Sequence, residues 1–299
     1  MPFELVAKPI SLGAYTLGEG ALWDWRAQKL RFVDIDSGNL NTLQPGVSGS
    51  ESVSSTKVGK VVTTVVCRQP EKGARLIVAL EREIAEVDEK TGKVTHICDV
   101  PEPPTNRMND GKCDPRGRFW FGSMAYDFRV GAGSLYMLDA GRQLHKMLEG
   151  VTISNGIVWT KAMDTMYYID SENNALESFA FDAASGNVNN RRTVLENIWG
   201  GIFDGMTIDS DDNLLIATWK GSAVLKIDPR SGELLGKIRV PGALNVTSCA
   251  LGGSDLRTLF ITTAAKDSDS KSYPDAGKLF VLQDASLSSI GLPAFEFTG

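Results

Sequence analysis

The stretch that decides the fold reads Gly111-Lys112-Cys113-Asp114-Pro115-Arg116-Gly117-Arg118-Phe119-Trp120-Phe121-Gly122-Ser123. Its middle, residues 114–117, is composed of Asp, Pro and Gly around a single Arg, the residue types that tight turns prefer. The flanking segments, residues 111–113 and 118–123, are short and bounded by turn signals, as β-strands are. Phe119 and Phe121 stand two positions apart, which places both side chains on one face of a strand. The stretch therefore predicts two strands joined by a tight turn.

The alternating apolar pair in this stretch recurs along the whole chain. Six such pairs are present: Leu30/Phe32, Leu76/Val78, Phe119/Phe121, Met166/Tyr168, Leu214/Ile216 and Leu259/Ile261. Their second members stand at positions 32, 78, 121, 168, 216 and 261, so that successive steps are 43 to 48 residues. A period in this range is typical of a β-propeller with one four-stranded blade per repeat. The sequence therefore predicts an all-β protein, a six-bladed β-propeller in one domain over residues 1–299.

Composition excludes several classes of partner. The 299 residues carry a net charge of −6 and have a pI near 5.1, which argues against a nucleic-acid groove or an anionic membrane surface as the main partner. No apolar run approaches the roughly 18 residues that a membrane span needs. Residues 1–10 do not have the pattern of a signal peptide. We therefore expect a cytoplasmic protein, a monomer or weak homodimer, that acts on a small molecule.

A polar residue followed by glycine precedes three of the six anchor positions. It stands 12 or 13 residues upstream each time: Glu19 before Phe32, Asn155 before Tyr168 and Asp204 before Ile216. Equivalent positions in different blades form a ring around one axis, so these three oxygen-bearing side chains can converge on one point. Two carboxylates and an amide suit Ca²⁺, Mg²⁺ or Mn²⁺, and Zn²⁺ in an open site. The alternative is that Asn-Gly and Asp-Gly are ordinary turn dipeptides.

The third repeat carries a further polar group at the same level. Asn109 lies 12 residues before Phe121, and Arg107 precedes it by two. Arg and Asn offer several hydrogen-bond donors for a hydroxylated or carboxylate-bearing ligand. The other interpretation is a solvated Arg beside an Asn-Asp-Gly turn. Asp110 is an alternative metal ligand, but in a regular strand it would point away from Asn109.

The positions of the histidines and cysteines argue against several kinds of catalytic and metal site. The two histidines, His96 and His145, lie away from the ring positions, which argues against a Ser-His-Asp or Cys-His nucleophile and against a multi-histidine zinc site. The four cysteines are scattered without a C-x-x-C pair, and we expect reduced thiols in the core. Residues 45–50 are mostly small and polar, and predict a surface hairpin loop.

The chain resembles the regucalcin (senescence marker protein)/gluconolactonase family over residues 13–277. Four motifs carry the resemblance: Gly18-Glu19-Gly20, Arg107-Met108-Asn109-Asp110-Gly111-Lys112-Cys113-Asp114-Pro115, Ser154-Asn155-Gly156 and Asp204-Gly205-Met206. The resemblance implies a six-bladed propeller with one divalent metal near the top of the central channel. It implies that Glu19, Asn155 and Asp204 hold the metal, that Asp204 is also the general base, and that Arg107 and Asn109 bind a sugar lactone.

One position departs from the vertebrate pattern. There a Glu that contacts substrate follows the Met-Ala pair, whereas here Met124-Ala125 is followed by Tyr126-Asp127. Asp127 is the candidate for the same task with a shorter reach. Residues 15–20 and 79–84 look closer to the insect luciferin-regenerating branch of the family, which implies no particular activity for this chain.

The sequence thus favours a metal-dependent lactonase of the gluconolactonase type, in which a cation polarises the lactone carbonyl and Asp204 accepts a proton from water. One divalent cation is expected, Ca²⁺ first, with Zn²⁺, Mn²⁺ or Mg²⁺ as alternatives. Two other functions use the same ligands: a calcium-binding regulatory protein without significant catalysis, and a metal-dependent phosphotriesterase. An interaction propeller of the WD type is disfavoured because the repeats lack the Gly-His and Trp-Asp signatures.

Overall fold

Six β-sheets, the blades, surround a central channel in the computed structural model, which describes residues 1–10, 13–46, 51–72 and 76–299. The predicted six-bladed propeller is confirmed. Part of the predicted surface loop at 45–50, residues 47–50, lies outside the described residues.

The strands, numbered in chain order, begin with β1 (Phe3–Val6) and β2 (Lys8–Ile10). Blade 1 contains β3 (Gly18–Asp24), β4 (Lys29–Asp34), β5 (Asn39–Gln44) and β6 (Ser52–Lys57). Blade 2 contains β7 (Val62–Cys67), β8 (Leu76–Leu80), β9 (Glu83–Val87) and β10 (Val94–Asp99). Blade 3 contains β11 (Asn106–Cys113), β12 (Phe119–Ala125), β13 (Gly133–Leu138) and β14 (Leu144–Val151).

Blade 4 contains β15 (Ser154–Trp159), β16 (Thr165–Asp170), β17 (Ala175–Phe181) and β18 (Val188–Glu196). Blade 5 contains β19 (Ile202–Ile208), β20 (Leu214–Trp219), β21 (Ala223–Asp228) and β22 (Glu233–Arg239). Blade 6 contains β23 (Asn245–Gly252), β24 (Thr258–Ala264) and β25 (Leu279–Leu282). Two short 3₁₀ helices occupy Pro70–Lys72 and Ala285–Leu287.

The repeating apolar pair marks the same strand in every blade. All six pairs fall on the second strand, counted outward from the channel. The side chains are buried because the faces of neighbouring blades pack against each other; Phe119, Trp120 and Phe121, for example, are completely buried. This position in the middle of each interblade core is why a period of about 45 residues is readable in the sequence.

The N-terminal segment closes the ring. Strand β2 pairs antiparallel with β25 and supplies the outermost strand of blade 6, and β1 pairs parallel with β22 as a fifth strand of blade 5. Chain segments from opposite ends of the sequence therefore share a sheet, which ties the last blades to the first.

The channel has two different ends. At the upper end the innermost strand of each blade begins, and at the lower end it turns into the second strand. The chain's last residues run along the lower end and bond to five blades: Arg26–Glu296 (2.8 Å), Phe297 to Cys67 (2.8 Å), Thr298 to Gly117 (3.0 Å), Ser210 to Ile290 (2.7 Å) and Gly291 to Leu256 (2.8 Å). They close the lower end over a cavity of about 70 Å³ that is lined by Trp23, Trp159, Leu251, Phe295 and Lys112 among others.

All four cysteines are free thiols, and Cys67, Cys113 and Cys249 are buried as expected, whereas Cys98 is half-buried. Both histidines lie exposed on outer strands, His96 on β10 and His145 on β14, away from the ring positions as expected. No helix within the described ranges is long and apolar enough to cross a membrane.

Candidate metal and substrate site

A β-bulge interrupts the innermost strand of every blade, and most of the site is made of residues at or beside these bulges. The ladder to the second strand skips Gly20 and Ala21 in blade 1, Thr63 in blade 2, Asn109 and Asp110 in blade 3, Asn155 and Gly156 in blade 4, Asp204 and Gly205 in blade 5, and Thr247 in blade 6. Glu19 is the last paired residue before the first of these bulges.

The bulges explain why the side chains of Asn109, Asn155 and Asp204 leave the faces of their blades. The faces of a blade pack against its neighbours, so most regularly paired residues point into an interblade core. A bulge residue leaves the ladder and is re-aimed. Glycine is needed beside it because the strands approach closely: a Cβ on Gly111 would lie 2.5 Å from the carbonyl oxygen of Trp120, and one on Gly156 would lie 2.7 Å from Cγ of Met206.

Three buried carboxylates repel one another at this level: Glu19, Asp110 and Asp204, each less than a tenth exposed. Each accepts a hydrogen bond from the N–H of the glycine that follows it. Burial, and next the negative charge of Asp110, raise the pKa of Glu19 to about 8. Burial, followed by repulsion from Glu19 and Asp110, raises the pKa of Asp204 well above its usual range. The cluster therefore contains more buried negative charge than its own surroundings stabilise.

Two amides join blades 3 and 4 beside the carboxylates. Nδ2 of Asn109 donates to the backbone oxygen of Ser154 (2.7 Å) and to Oδ1 of Asn155 (3.3 Å). Nδ2 of Asn155 donates to the Ser171 hydroxyl (2.8 Å), which donates in turn to the backbone oxygen of Phe203 (2.6 Å). Because its amide nitrogen is fixed in this way, the oxygen of Asn155 is turned toward Asn109.

Two cations flank the carboxylates without a direct ion pair among the described contacts. Nη1 of Arg107 donates to the Met108 backbone oxygen (2.9 Å) and to Oδ1 of Asn109 (2.6 Å). Lys112 lies on the lower side, where its Nζ donates to the backbone oxygen of Met206 in blade 5 (2.8 Å). Burial lowers the pKa of both groups, and the charge of Asp110 acts against this at Lys112.

The expectation that Asn109 and Asp110 point in opposite directions is wrong. It assumed a regular strand, whereas both residues belong to the bulge and both are buried at the channel. The signal was present in the sequence, because Asp110-Gly111 has the same acid-glycine form as Glu19-Gly20 and Asp204-Gly205. Lys112 and Ser171 were also missed, and no spacing rule pointed to them.

Asp127 lies apart from this cluster. It is exposed in the loop after β12, and its carboxylate accepts a hydrogen bond from the backbone N–H of Arg129 (3.3 Å). Its neighbour Tyr126 donates from its hydroxyl to Oε1 of Glu81 (2.7 Å). The structure thus brings Glu19, Arg107, Asn109, Asn155 and Asp204 together and leaves Asp127 at the upper rim.

The donor set fits a hard divalent cation. Glu19 and Asp204 are buried acids that repel each other. Each carboxylate accepts one hydrogen bond from a backbone N–H, which uses one of its about four acceptor positions and leaves the others for a cation. With the oriented Asn155 oxygen they form an oxygen-only set, which suits Ca²⁺, Mg²⁺ or Mn²⁺. A different group of possible ligands, Glu83, His96 and Asp99, lies on the outer edge of blade 2, with its ligand atoms within 4.8 Å of one another.

Comparison with known proteins agrees with this architecture. The family model described as SMP-30/Gluconolactonase/LRE-like region matches residues 17–265. Regucalcin of Danio rerio is 33% identical over 289 residues, with 95% of each chain covered. YvrE of Bacillus subtilis, whose name proposes a sugar lactone lactonase, is 34% identical over 290 residues, again 95% of each chain. A solved luciferin-regenerating enzyme superposes with a TM-score of 0.89 at 31% identity, covering 98% of this chain and 99% of its own.

Proposed function

The chain belongs to the SMP-30/gluconolactonase/LRE-like family, and we propose that it is a divalent-cation-dependent hydrolase that opens lactone rings, sugar lactones among them. The observation that carries this proposal is the buried, mutually repelling pair Glu19 and Asp204, from blades 1 and 5, beside the hydrogen-bonded chain of Arg107, Asn109 and Asn155 from blades 3 and 4. A relative named for sugar lactone hydrolysis, YvrE, supports the substrate class.

Glu19, Asn155 and Asp204 would hold the cation, with Ca²⁺ the first candidate and Mn²⁺, Mg²⁺ or Zn²⁺ the alternatives. A cation bound there would stabilise the negative charge that develops on the lactone carbonyl oxygen, a contribution of several kcal/mol. Three protein ligands leave positions open for water and substrate.

Asp204 would act as the general base. A water attacks the carbonyl carbon, and Asp204 accepts the proton that the water loses. The bond between that carbon and the ring oxygen then breaks, and the proton passes from Asp204 to the ring oxygen, which leaves as an alcohol. The product is the open hydroxy acid, and Asp204 returns to its starting state. General-base help of this kind contributes roughly 10²–10⁴-fold to the rate.

Arg107 and Asn109 would orient the substrate. Both described hydrogen bonds of Arg107 start from Nη1, so its Nε and Nη2 can donate to oxygens of the ligand. The bond to Asn109 fixes the guanidinium plane, which favours a directed interaction with hydroxyl or carbonyl oxygens. Asp127 would reach the substrate from the rim.

The test is a pH-stat assay of a lactone panel with chelated protein, before and after addition of each cation. We expect no hydrolysis without cation, and activity after its return. Asp204→Asn should lower kcat/KM by roughly 10²–10⁴-fold, whereas Asp182→Asn, in an exposed turn of blade 4, should leave it unchanged. Full activity of Asp204→Asn with cation present would contradict the assignment.

The same assay separates the alternatives. Tight cation binding without hydrolysis of any lactone would favour a calcium-binding regulatory protein. Faster hydrolysis of a phosphotriester run beside the lactones would favour a phosphotriesterase.

A further inference from the structure

Exposed large hydrophobic side chains concentrate at the upper face, where the candidate site opens. Five of the nine in the described residues lie there: Tyr126, Phe128, Val130, Ile198 and Ile202. The others are at the N-terminal strands, Met1 and Val6, or at the lower face, Met163 and Ile290. Apolar groups that cluster on a monomer surface commonly mark a binding site.

Three of the five belong to one segment, the rim loop, residues 126–132. Phe128 is 60% exposed and Val130 is 73% exposed. The loop backbone is held in place: Phe128 N–H donates to Ala125 (3.1 Å), and Gly131 N–H donates to the Thr152 hydroxyl (2.9 Å). Its apolar side chains are therefore presented to solvent by an ordered backbone.

The rim loop is continuous with the substrate-binding residues. It follows β12, whose Met124 pairs with Arg107 in the ladder. Tyr126 N–H donates to the backbone oxygen of Thr105 (2.9 Å), two residues before Arg107. The Tyr126 phenol and the Arg107 guanidinium are close enough to interact electrostatically. A ligand held by Arg107 would thus meet the rim loop.

Two further exposed apolar side chains lie on the other side of the site. Ile202 begins β19, two residues before Asp204, and Ile198 is 81% exposed in the connection just before it. The polar groups lie inside the upper end of the channel, and the apolar groups lie around it. This arrangement favours an amphipathic ligand, with a polar end in the channel and an apolar part against the rim.

We propose that the preferred substrate is a lactone with an apolar substituent, an alkyl or aryl arm on the ring, which rests against Tyr126, Phe128 and Val130 while the ring lies at the channel mouth. This inference rests on the proposed function and narrows its substrate class. A lactone with hydroxyls only would leave the rim uncovered.

The experiment compares two lactones of the same ring size, δ-valerolactone and δ-decalactone, which differ by one alkyl arm. We expect the cation-loaded protein to show a kcat/KM for δ-decalactone at least tenfold higher, since a single methylene in an apolar pocket is worth about 10-fold or more. The double variant Phe128→Ser/Val130→Ser should bring this ratio toward one, mainly through KM. Met163→Ser, on the lower face, is the matched control and should keep the wild-type ratio.

Each outcome decides the question. Hydrolysis of both lactones at equal efficiency overturns the inference and leaves the proposed function standing. Hydrolysis of neither overturns the inference, and it overturns the proposed function as well if the sugar lactones of the panel are also left intact. A preference that survives the double variant places the arm elsewhere and overturns the inference, as does a double variant that converts a dimer to a monomer in gel filtration without changing the ratio, because the rim loop is then a contact between copies.

Discussion

Lys112 determines the charge on the lower side of the site. Its ammonium reaches from blade 3 to the backbone oxygen of Met206 in blade 5 and interacts with Asp110. Below it the cavity wall is mostly apolar. The lysine therefore separates the polar upper part of the channel from the apolar cavity below, and its positive charge lies beside Asp110.

Replacing Lys112 by methionine should strengthen cation binding. At an effective dielectric constant of 20, a divalent and a monovalent cation about 10 Å apart repel by about 3 kcal/mol. We expect a Kd for Ca²⁺ at least tenfold lower in isothermal titration calorimetry, with a loss of about 1 kcal/mol of stability from the missing hydrogen bond. Lys146→Met, an exposed lysine on β14, is the control and should leave the Kd unchanged. An unchanged or higher Kd for Lys112→Met would contradict this electrostatic role.

At the scale of the element, the innermost strand with its bulge is the functional unit. The sequence predicted where the site residues of repeats 1, 4 and 5 fall, because their polar-glycine pairs stand 12 or 13 residues before the buried pair of the second strand. It did not predict their directions, because a bulge changes the direction of a side chain without changing the spacing. Asp110 was misjudged for this reason, whereas Asn155 and Asp204 reach the channel through the same irregularity.

Substituting Gly111 by alanine tests the dependence of the site on the bulge. The new Cβ would lie 2.5 Å from the Trp120 carbonyl oxygen and 2.8 Å from Cβ of Phe121, so β11 must move away from β12. We expect a loss of about 1–3 kcal/mol in the free energy of unfolding, measured by denaturant titration, and weaker Ca²⁺ binding because Asp110 and Asn109 shift. Gly141→Ala meets only Oδ1 of Asp139, at 3.3 Å, and should change stability by less than about 0.5 kcal/mol. Wild-type stability and Kd in Gly111→Ala would show that the bulge tolerates a side chain.

At the scale of the whole molecule, the two terminal segments close the ring of blades and cover its lower end. The six-fold repetition predicted the ring, but closure by β1 and β2 and the seal formed by residues 289–299 carry no repeat signal. These segments belong to the fold only through contacts that are remote in sequence, such as Arg26 with Glu296, so a reading of local patterns does not find them. The exposed rim loop was not predicted from the sequence for a related reason. Its apolar residues have the same types as buried strand residues, and only the structure shows that they are exposed.

The buried carboxylates couple the stability of the whole propeller to pH and to cations. The pKa of Glu19 is raised from 4.5 to about 8, and that of Asp204 is raised as well, so the folded cation-free protein holds protons that the unfolded chain releases. This contribution to stability is fully present below about pH 4.5 and is lost as the pH rises through 8, at up to about 1.4 kcal/mol per pH unit for each retained proton. A bound cation stabilises the charged carboxylates and removes this loss of stability.

We therefore expect the Tm of chelated protein to fall between pH 5 and 8. With saturating Ca²⁺ the Tm should stay higher at pH 8, and in the Glu19→Gln variant the Tm of the chelated protein should fall less steeply. A Tm of the chelated protein that rises over this range would mean that Glu19 and Asp204 are already compensated within the fold, and the case for a cation between them would lose its physical basis.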